Sequence, residues 1–249
     1  MLRTDRRDAV LLCTLDRPEK RNSLHPDLVQ ELSSTLKEAA GDASLSVVVL
    51  TGAGNTFCSG LDLAHLSSLE VHQGVDYLRS FFDLYRQVYE LPQAAIAAIN
   101  GPAIAGGFDL AVACDLRVCS PAARFAQTEL LLGLTQILYP LYKVIGLGRA
   151  KELALTAEAI TAEEAYRIGL VNRVYPAEQL LDQALKLAGS LAAKPRQALL
   201  ETKRLSREVI GMDTEGAMRR MFEVISERLK SDEHRREVRA YLARLKQRH

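Results

Sequence analysis

Along the first half of the chain, short apolar runs alternate with stretches in which apolar residues recur every three or four positions, which predicts strands alternating with helices. AVLLCTL at 9–15 has the length of a strand. A polar loop from Asp16 to Ser23 follows. Leu28, Leu32 and Leu36 then recur at four-residue spacing, with Pro26 suited to a first helical turn and Gly41-Asp42 as the stop. SVVVLTG at 46–52 reads as a second strand, giving a β-α-β opening with parallel strands. Residues 66–76 carry the weakest pattern and are expected to form a mobile loop. Val75, Leu78, Phe81, Phe82, Tyr85 and Val88 mark a long helix that ends at Leu91-Pro92. AAIAAI at 94–99 reads as a third strand, and 115–119 and 123–127 as two further short ones. From Tyr139 onward the pattern is helical, broken at Gly146-Leu147-Gly148, at Gly169 with its short apolar run LVNRVY, and at Pro195. Ala217, Met218, Met221, Phe222 and Ile225 form stripes too extensive for one small helical module to bury alone, so they are expected to pack on the body or on another subunit.

Composition narrows the class. A chain of 249 residues with 48% hydrophobic and 25% charged residues can bury a sufficient core without disulfides or a metal. A net charge of +1 gives no general attraction for nucleic acid. Cys13, Cys58, Cys114 and Cys119 show no C-x-x-C spacing, so buried free thiols in a reducing compartment are expected. No apolar run reaches the roughly 18–20 residues of a membrane span, and the N-terminal residues lack a signal-peptide core, so the expected location is the cytoplasm.

The chemistry concentrates in two glycine turns. In the first, Ala98-Ile99-Asn100-Gly101-Pro102 leads from a strand into a turn, and Gly106-Gly107 opens a helix that carries Asp109 in its first turn. Amides at a helix start lack intrahelical partners and favour an anion or a developing negative oxygen. In the second, F-C-S-G-L-D-L at 57–63 places Ser59, Gly60, Leu61, Asp62 and Leu63 in a turn running into a short helix. Gly52-Ala53-Gly54 is a poor dinucleotide fingerprint, because Phe57 occupies the third glycine position. Together with Asp109 and Glu129, the two turns suit chemistry at an acyl group: paired N–H groups for an enolate oxygen, and carboxyls to move protons at the neighbouring carbons. Read without a relative, Asp109 could equally bond within its helix and Glu129 could pair with an arginine. Ser59 with His65 or His72 lacks the elbow of a hydrolase, and the five histidines are too scattered for metal ligands. Six basic against three acidic residues in 231–249 read first as a solvated helix face, with phosphate contact or a subunit interface as the other readings.

Several segments in order resemble the crotonase, or enoyl-CoA hydratase/isomerase, superfamily: L-D-R-P-E-K-R-N-S-L from Leu15, F-C-S-G-L-D-L, N-G-P-A-I-A-G-G-F-D-L-A-x-x-C-D, G-L-V-N-R-V-Y-P from Gly169, and Y-L-x-R-x-K ending at Lys246. The resemblance implies an α/β fold, a crotonase-like spiral of β-β-α units over 1–194 holding a CoA-ester site. It also implies a helical C-terminal trimerisation region over 195–249, with a homotrimer or hexamer as the assembly. It places the oxyanion-hole amides at Leu61 and Gly106 and the catalytic carboxyls at Asp109 and Glu129. Glu129 would protonate Cα and Asp109 would direct the water that attacks Cβ. Ser59, Gly60, Asp62, Leu63 and Gly107 are implied to line the acyl-CoA site. Lys20 and Arg21, in the basic loop that starts at Arg17, are implied to meet the CoA phosphates, with Lys246 as a further contact. No metal and no separate cofactor are implied, since coenzyme A is part of the substrate; neither nucleic acid nor a membrane span is expected. Hydratases of this group usually carry Glu where this chain has Asp109. Dienoyl-CoA isomerases carry Asp there and a further aspartate eight residues after the glutamate, where this chain has Ile137. Hydration of a trans-2-enoyl-CoA is therefore the first expectation, with a shift of a double bond from position 3 to position 2, or CoA-ester binding without turnover, as the alternatives.

Overall fold

A computed structural model describes residues 1–246. The chain divides into two units, Met1–Gly189 and Ser190–His249.

The first unit is built on a six-stranded sheet. β1 (Leu2–Arg7) and β2 (Val10–Leu15) form an antiparallel hairpin with Leu2 opposite Leu15. α1 (Pro26–Gly41) follows, with Leu28, Leu32 and Leu36 on its buried stripe, and leads to β3 (Val47–Gly52), which pairs in parallel with β2. α2 (Leu63–Ser67) and α3 (Val71–Glu90) precede β4 (Ala94–Ile99), parallel to β3. β5 (Ala103–Ile104), α4 (Gly106–Ala113), β6 (Leu116–Cys119) and β7 (Arg124–Ala126) come next. α5 (Leu141–Thr156), β8 (Ile160–Thr161), α6 (Ala162–Arg167) and β9 (Arg173–Val174) then follow, and α7 (Leu180–Ala192) begins in this unit. The large sheet has the order β1-β2-β3-β4-β6-β9, and β5-β7-β8 form a small second sheet. Every residue of β4 is buried, as are 47–51 of β3, the signature of parallel strands covered on both faces.

At three points the structure adds to or changes the sequence reading. Residues 2–7 form an edge strand that the polar sequence LRTDRR concealed, because charged side chains are tolerated where one edge faces solvent. Residues 66–76 are not a loop: most of them belong to α2 and α3. α2 is capped by Asp62, whose Oδ1 accepts from the His65 amide at 3.2 Å, and α3 by reciprocal bonds between Glu70 and Gln73. These helices begin through caps, so the start of α3 carries no apolar stripe to read. At the third point, the break at Gly146 is a kink within α5 (φ 78°, ψ 155°).

In the second unit, α8 (Arg196–Glu208), α9 (Thr214–Leu229) and α10 (Asp232–Lys246) follow one another. Asp213 caps α9, and Glu233 at the start of α10 accepts from the Gln197 and Ala198 amides of α8. Val224 is buried, while Met218, Phe222, Ile225 and Leu229 are 60–72% exposed and make an apolar face along α9. Among the described residues no helix is long and apolar enough to cross a membrane.

Candidate active site

The site forms where the turn after β4 delivers the chain into α4. Ala105, just before α4, has φ 51° and ψ −128°; its N–H donates to the Ala126 carbonyl at 2.8 Å, and its carbonyl accepts from the Asp109 amide at 3.0 Å. All eight residues of α4 are buried. Two close approaches require glycine. A Cβ on Gly107 would fall 2.1 Å from the Cys58 carbonyl oxygen, and one on Gly60 (φ 88°) would fall 3.0 Å from the Gly106 nitrogen. The two glycine turns are thus packed against each other.

Leu61 and Gly106 border one cavity of about 180 Å³. Gly106 is the first residue of α4, and neither its amide nor that of Leu61 has an acceptor among the described residues. Two free N–H groups at one wall can bind an oxygen that gains negative charge, and the positive end of α4 adds to that field. The rest of the wall is mostly apolar and includes Leu63, Leu66, Leu78, Phe82, Leu132 and Ile137.

Glu129 lines this cavity; Asp109 does not. Asp109 is 1% exposed and lies behind the wall, where its Oδ1 accepts from Gln127 Nε2 at 3.1 Å. Burial first, then the neighbouring Glu129 charge, push its carboxyl well above the usual range, against the opposing effect of the Gln127 bond. Burial also raises the Glu129 carboxyl. Asp109 Oδ2 and Glu129 Oε2 are both buried without a partner among the described residues. Asp109 is the more deeply buried of the two and its carboxyl is pushed well above the usual range, so it is the harder one to ionise.

The remaining expected residues divide. Ser59 and Leu63 line the cavity, and Gly60 packs beside it. Gly107 and Asp62 do not line it: Gly107 lies under Cys58, and Asp62 is occupied in structure, capping α2 and pairing with Arg17 at 3.1 Å. Arg17 is buried and also donates to the Ser23 carbonyl at 2.8 Å, so its guanidinium serves the loop and not a ligand. Lys20 and Arg21 are exposed, and the Arg21 carbonyl accepts from the Ser59 amide at 3.1 Å, which joins their loop to the cavity rim. Lys246 ends α10 in the second unit. Among the described residues, no cluster of three or more His, Cys, Asp or Glu could hold a metal ion.

Sequence reasoning missed Gln127 and Gln136. Gln127 Nε2 bonds both Asp109 and the Ile137 carbonyl (2.7 Å), and Gln136 Nε2 bonds the Gln127 and Ala154 carbonyls at 3.1 and 3.3 Å. The two amides tie down the turn that forms the Thr135–Ile137 side of the cavity. The available signal was the alternation after Arg124, which puts Phe125 and Gln127 on the same inward face.

The sequence matches the family Enoyl-CoA hydratase/isomerase over residues 5–249. The chain belongs to this family. Among enoyl-CoA hydratase/isomerase relatives, the crotonyl-CoA hydratase of Syntrophomonas wolfei is 31% identical over 86% of this chain and 84% of its own. The short-chain-enoyl-CoA hydratase of Clostridium acetobutylicum is 30% identical over 95% of this chain and 92% of its own. The crystal structure of an enoyl-CoA hydratase from Bacillus anthracis superposes with a TM-score of 0.95 at 30% identity, covering 98% of this chain and 96% of that one. An enoyl-CoA hydratase structure from Mycobacterium smegmatis gives 0.92 at 30% identity, covering 98% and 96%. The α/β crotonase fold with a helical C-terminal region is thereby shown for this enoyl-CoA hydratase/isomerase family member.

Proposed function

We propose that the protein is an enoyl-CoA hydratase that adds water to a trans-2-enoyl thioester. The observation that carries this reading is the pair of unpartnered amides, Leu61 and Gly106, on the wall of an apolar cavity that also presents Glu129. The hydratase names of the relatives support water, not another nucleophile, as the reactant. The thioester oxygen accepts from the two amides. Asp109, neutral and buried, keeps a second negative charge away from the forming enolate. Glu129, acting as a carboxylate, takes a proton from water as the hydroxyl oxygen bonds to Cβ, and charge moves onto the thioester oxygen. The enolate then collapses as Glu129 returns that proton to Cα. This reverses part of the division of labour that the resemblance implied, because the deeper carboxyl is the harder one to ionise. Coenzyme A enters as part of the substrate, its phosphates meeting Lys20 and Arg21, and no separate cofactor is needed. A cytoplasmic homotrimer or hexamer, with the α9 face at its interfaces, completes the proposal.

One observation favours a second reading. Glu129 is the carboxyl on the cavity wall, and one base suffices to carry a proton between Cγ and Cα in a 3-enoyl to 2-enoyl isomerisation. Conjugated enoyl absorbance distinguishes the readings. Hydratase activity consumes it from crotonyl-CoA, isomerase activity generates it from a 3-enoyl-CoA, and a protein that only binds the ester changes neither.

A further inference from the structure

The amide of Gly106 belongs to the peptide that joins Ala105 to Gly106, so the ψ of Ala105 sets its direction. That peptide is trans, and its N–H therefore points opposite its carbonyl. The carbonyl accepts from the Asp109 amide at 3.0 Å and so points into α4, while the N–H points back out of the helix, toward Gly60. This orientation demands an unusual backbone at Ala105. Arg21 and Ala157 also have positive φ, but both rest in the left-handed helical well, at ψ 35° and 19°. Ala105, at φ 51° and ψ −128°, lies far from that well, in the region that type II′ turns reserve for glycine. Rotating the peptide by a half turn would take ψ from −128° to about +52°, inside the left-handed well that an alanine can occupy. Gly106, without a Cβ, can absorb the matching change in its own φ. The rotated peptide would present the Ala105 carbonyl where the Gly106 N–H now stands, replacing a donor with an acceptor that repels an enolate oxygen.

We propose that Ala105 is a positioning residue. The Ala105–Gly106 peptide is a two-state element, held donor-outward by the Asp109 amide against the local preference of alanine, and a thioester oxygen selects the donor-outward state. The Ala105 N–H bond to Ala126 anchors the other side of the residue, so the rotation is confined to one peptide. The inference rests on the acyl-CoA reading of the site.

The test uses the full chain with butyryl-CoA labelled with carbon-13 at its carbonyl, a saturated ester that water cannot add to. Infrared difference spectra read the bound carbonyl stretch, which falls when the oxygen accepts hydrogen bonds from the site. In the wild type a dominant lowered band and a minor unlowered band are expected. Ala105→Gly, for which the observed backbone is unstrained, raises the ratio of the two by at least about twofold. Ala105→Asn, which favours the left-handed well more than alanine does, lowers it by a similar factor. A role in packing alone would shift melting temperature or Kd and leave the band ratio unchanged. Equal ratios in wild type and both variants, with butyryl-CoA bound, overturn the inference and leave the acyl-CoA reading standing. Absence of any bound carbonyl band in the wild type overturns the acyl-CoA reading and the inference together.

Discussion

Glu129 and Asp109 are acids twenty positions apart in the sequence, yet one lines the cavity and the other is buried behind its wall. Glu129 borders the cavity and is the proposed base, so Glu129→Gln should lower kcat by orders of magnitude with little change in KM, as expected of a group acting mainly on the transition state. Steady-state kinetics on crotonyl-CoA check this, and a variant of near-native kcat counts against the mechanism. Asp109 is the deeper of the two, and its raised carboxyl has a consequence for stability. Between its ordinary value of 3.8 and its higher folded value, the native state holds a proton that the unfolded chain has released. The slope of unfolding free energy with pH is then negative, and the stability present below pH 3.8 is progressively lost as pH rises toward the folded value. Asp109→Asn removes this dependence. The variant's melting temperature should gain on the wild type as pH increases, and a constant difference across the range would show that Asp109 is not held neutral. In a hydratase assay the same variant separates the readings further. Retained turnover fits a neutral Asp109 that only keeps charge away, whereas abolished turnover restores Asp109 as the base for water.

At the scale of elements, the loop after β2 shows how a basic stretch divides into structure and function. Arg17 is buried against Asp62, and Asn22 bonds the Ala53 and Thr56 carbonyls at 2.9 and 2.7 Å, which leaves Lys20 and Arg21 as the exposed cations at the rim. Removing both charges should raise KM for CoA esters more than it lowers kcat, and the effect should shrink with added salt because surface phosphate pairs are screened. An unchanged KM in the Lys20→Ala, Arg21→Ala double variant would refute the placement. The core elements were legible because their patterns are strong: the leucine spacing of α1, the unbroken apolar runs of β3 and β4, and the glycines that open α4. α2 and the start of α3 were not legible, since Asp62 and the Glu70–Gln73 pair define them by capping rather than by an apolar stripe. β1 was hidden by its charges. In the site, the positions of Glu129, Leu61 and Gly106 at one cavity follow from aligned segments, but the withdrawal of Asp109 behind the wall does not. That depends on the Gln127 amide and on the short aspartate side chain, neither of which a spacing of residues can locate in depth.

For the whole molecule, Met218, Phe222, Ile225 and Leu229 present a larger exposed apolar face than a solitary helix carries without a partner surface. A trimer or hexamer is expected by sedimentation at micromolar concentration, and Phe222→Asp with Ile225→Asp should shift the protein toward monomer; a wild type that sediments as a monomer contradicts the assembly. If two amides and one cavity carboxyl add water to an enoyl thioester, incubating the protein with crotonyl-CoA in water enriched in oxygen-18 and analysing the product by mass spectrometry will show it. The expected product is 3-hydroxybutyryl-CoA with the label on C3, formed by the wild type and lost with Glu129→Gln. Crotonyl-CoA recovered unchanged, while a 3-enoyl-CoA is converted to its conjugated isomer without taking up label, would contradict hydration.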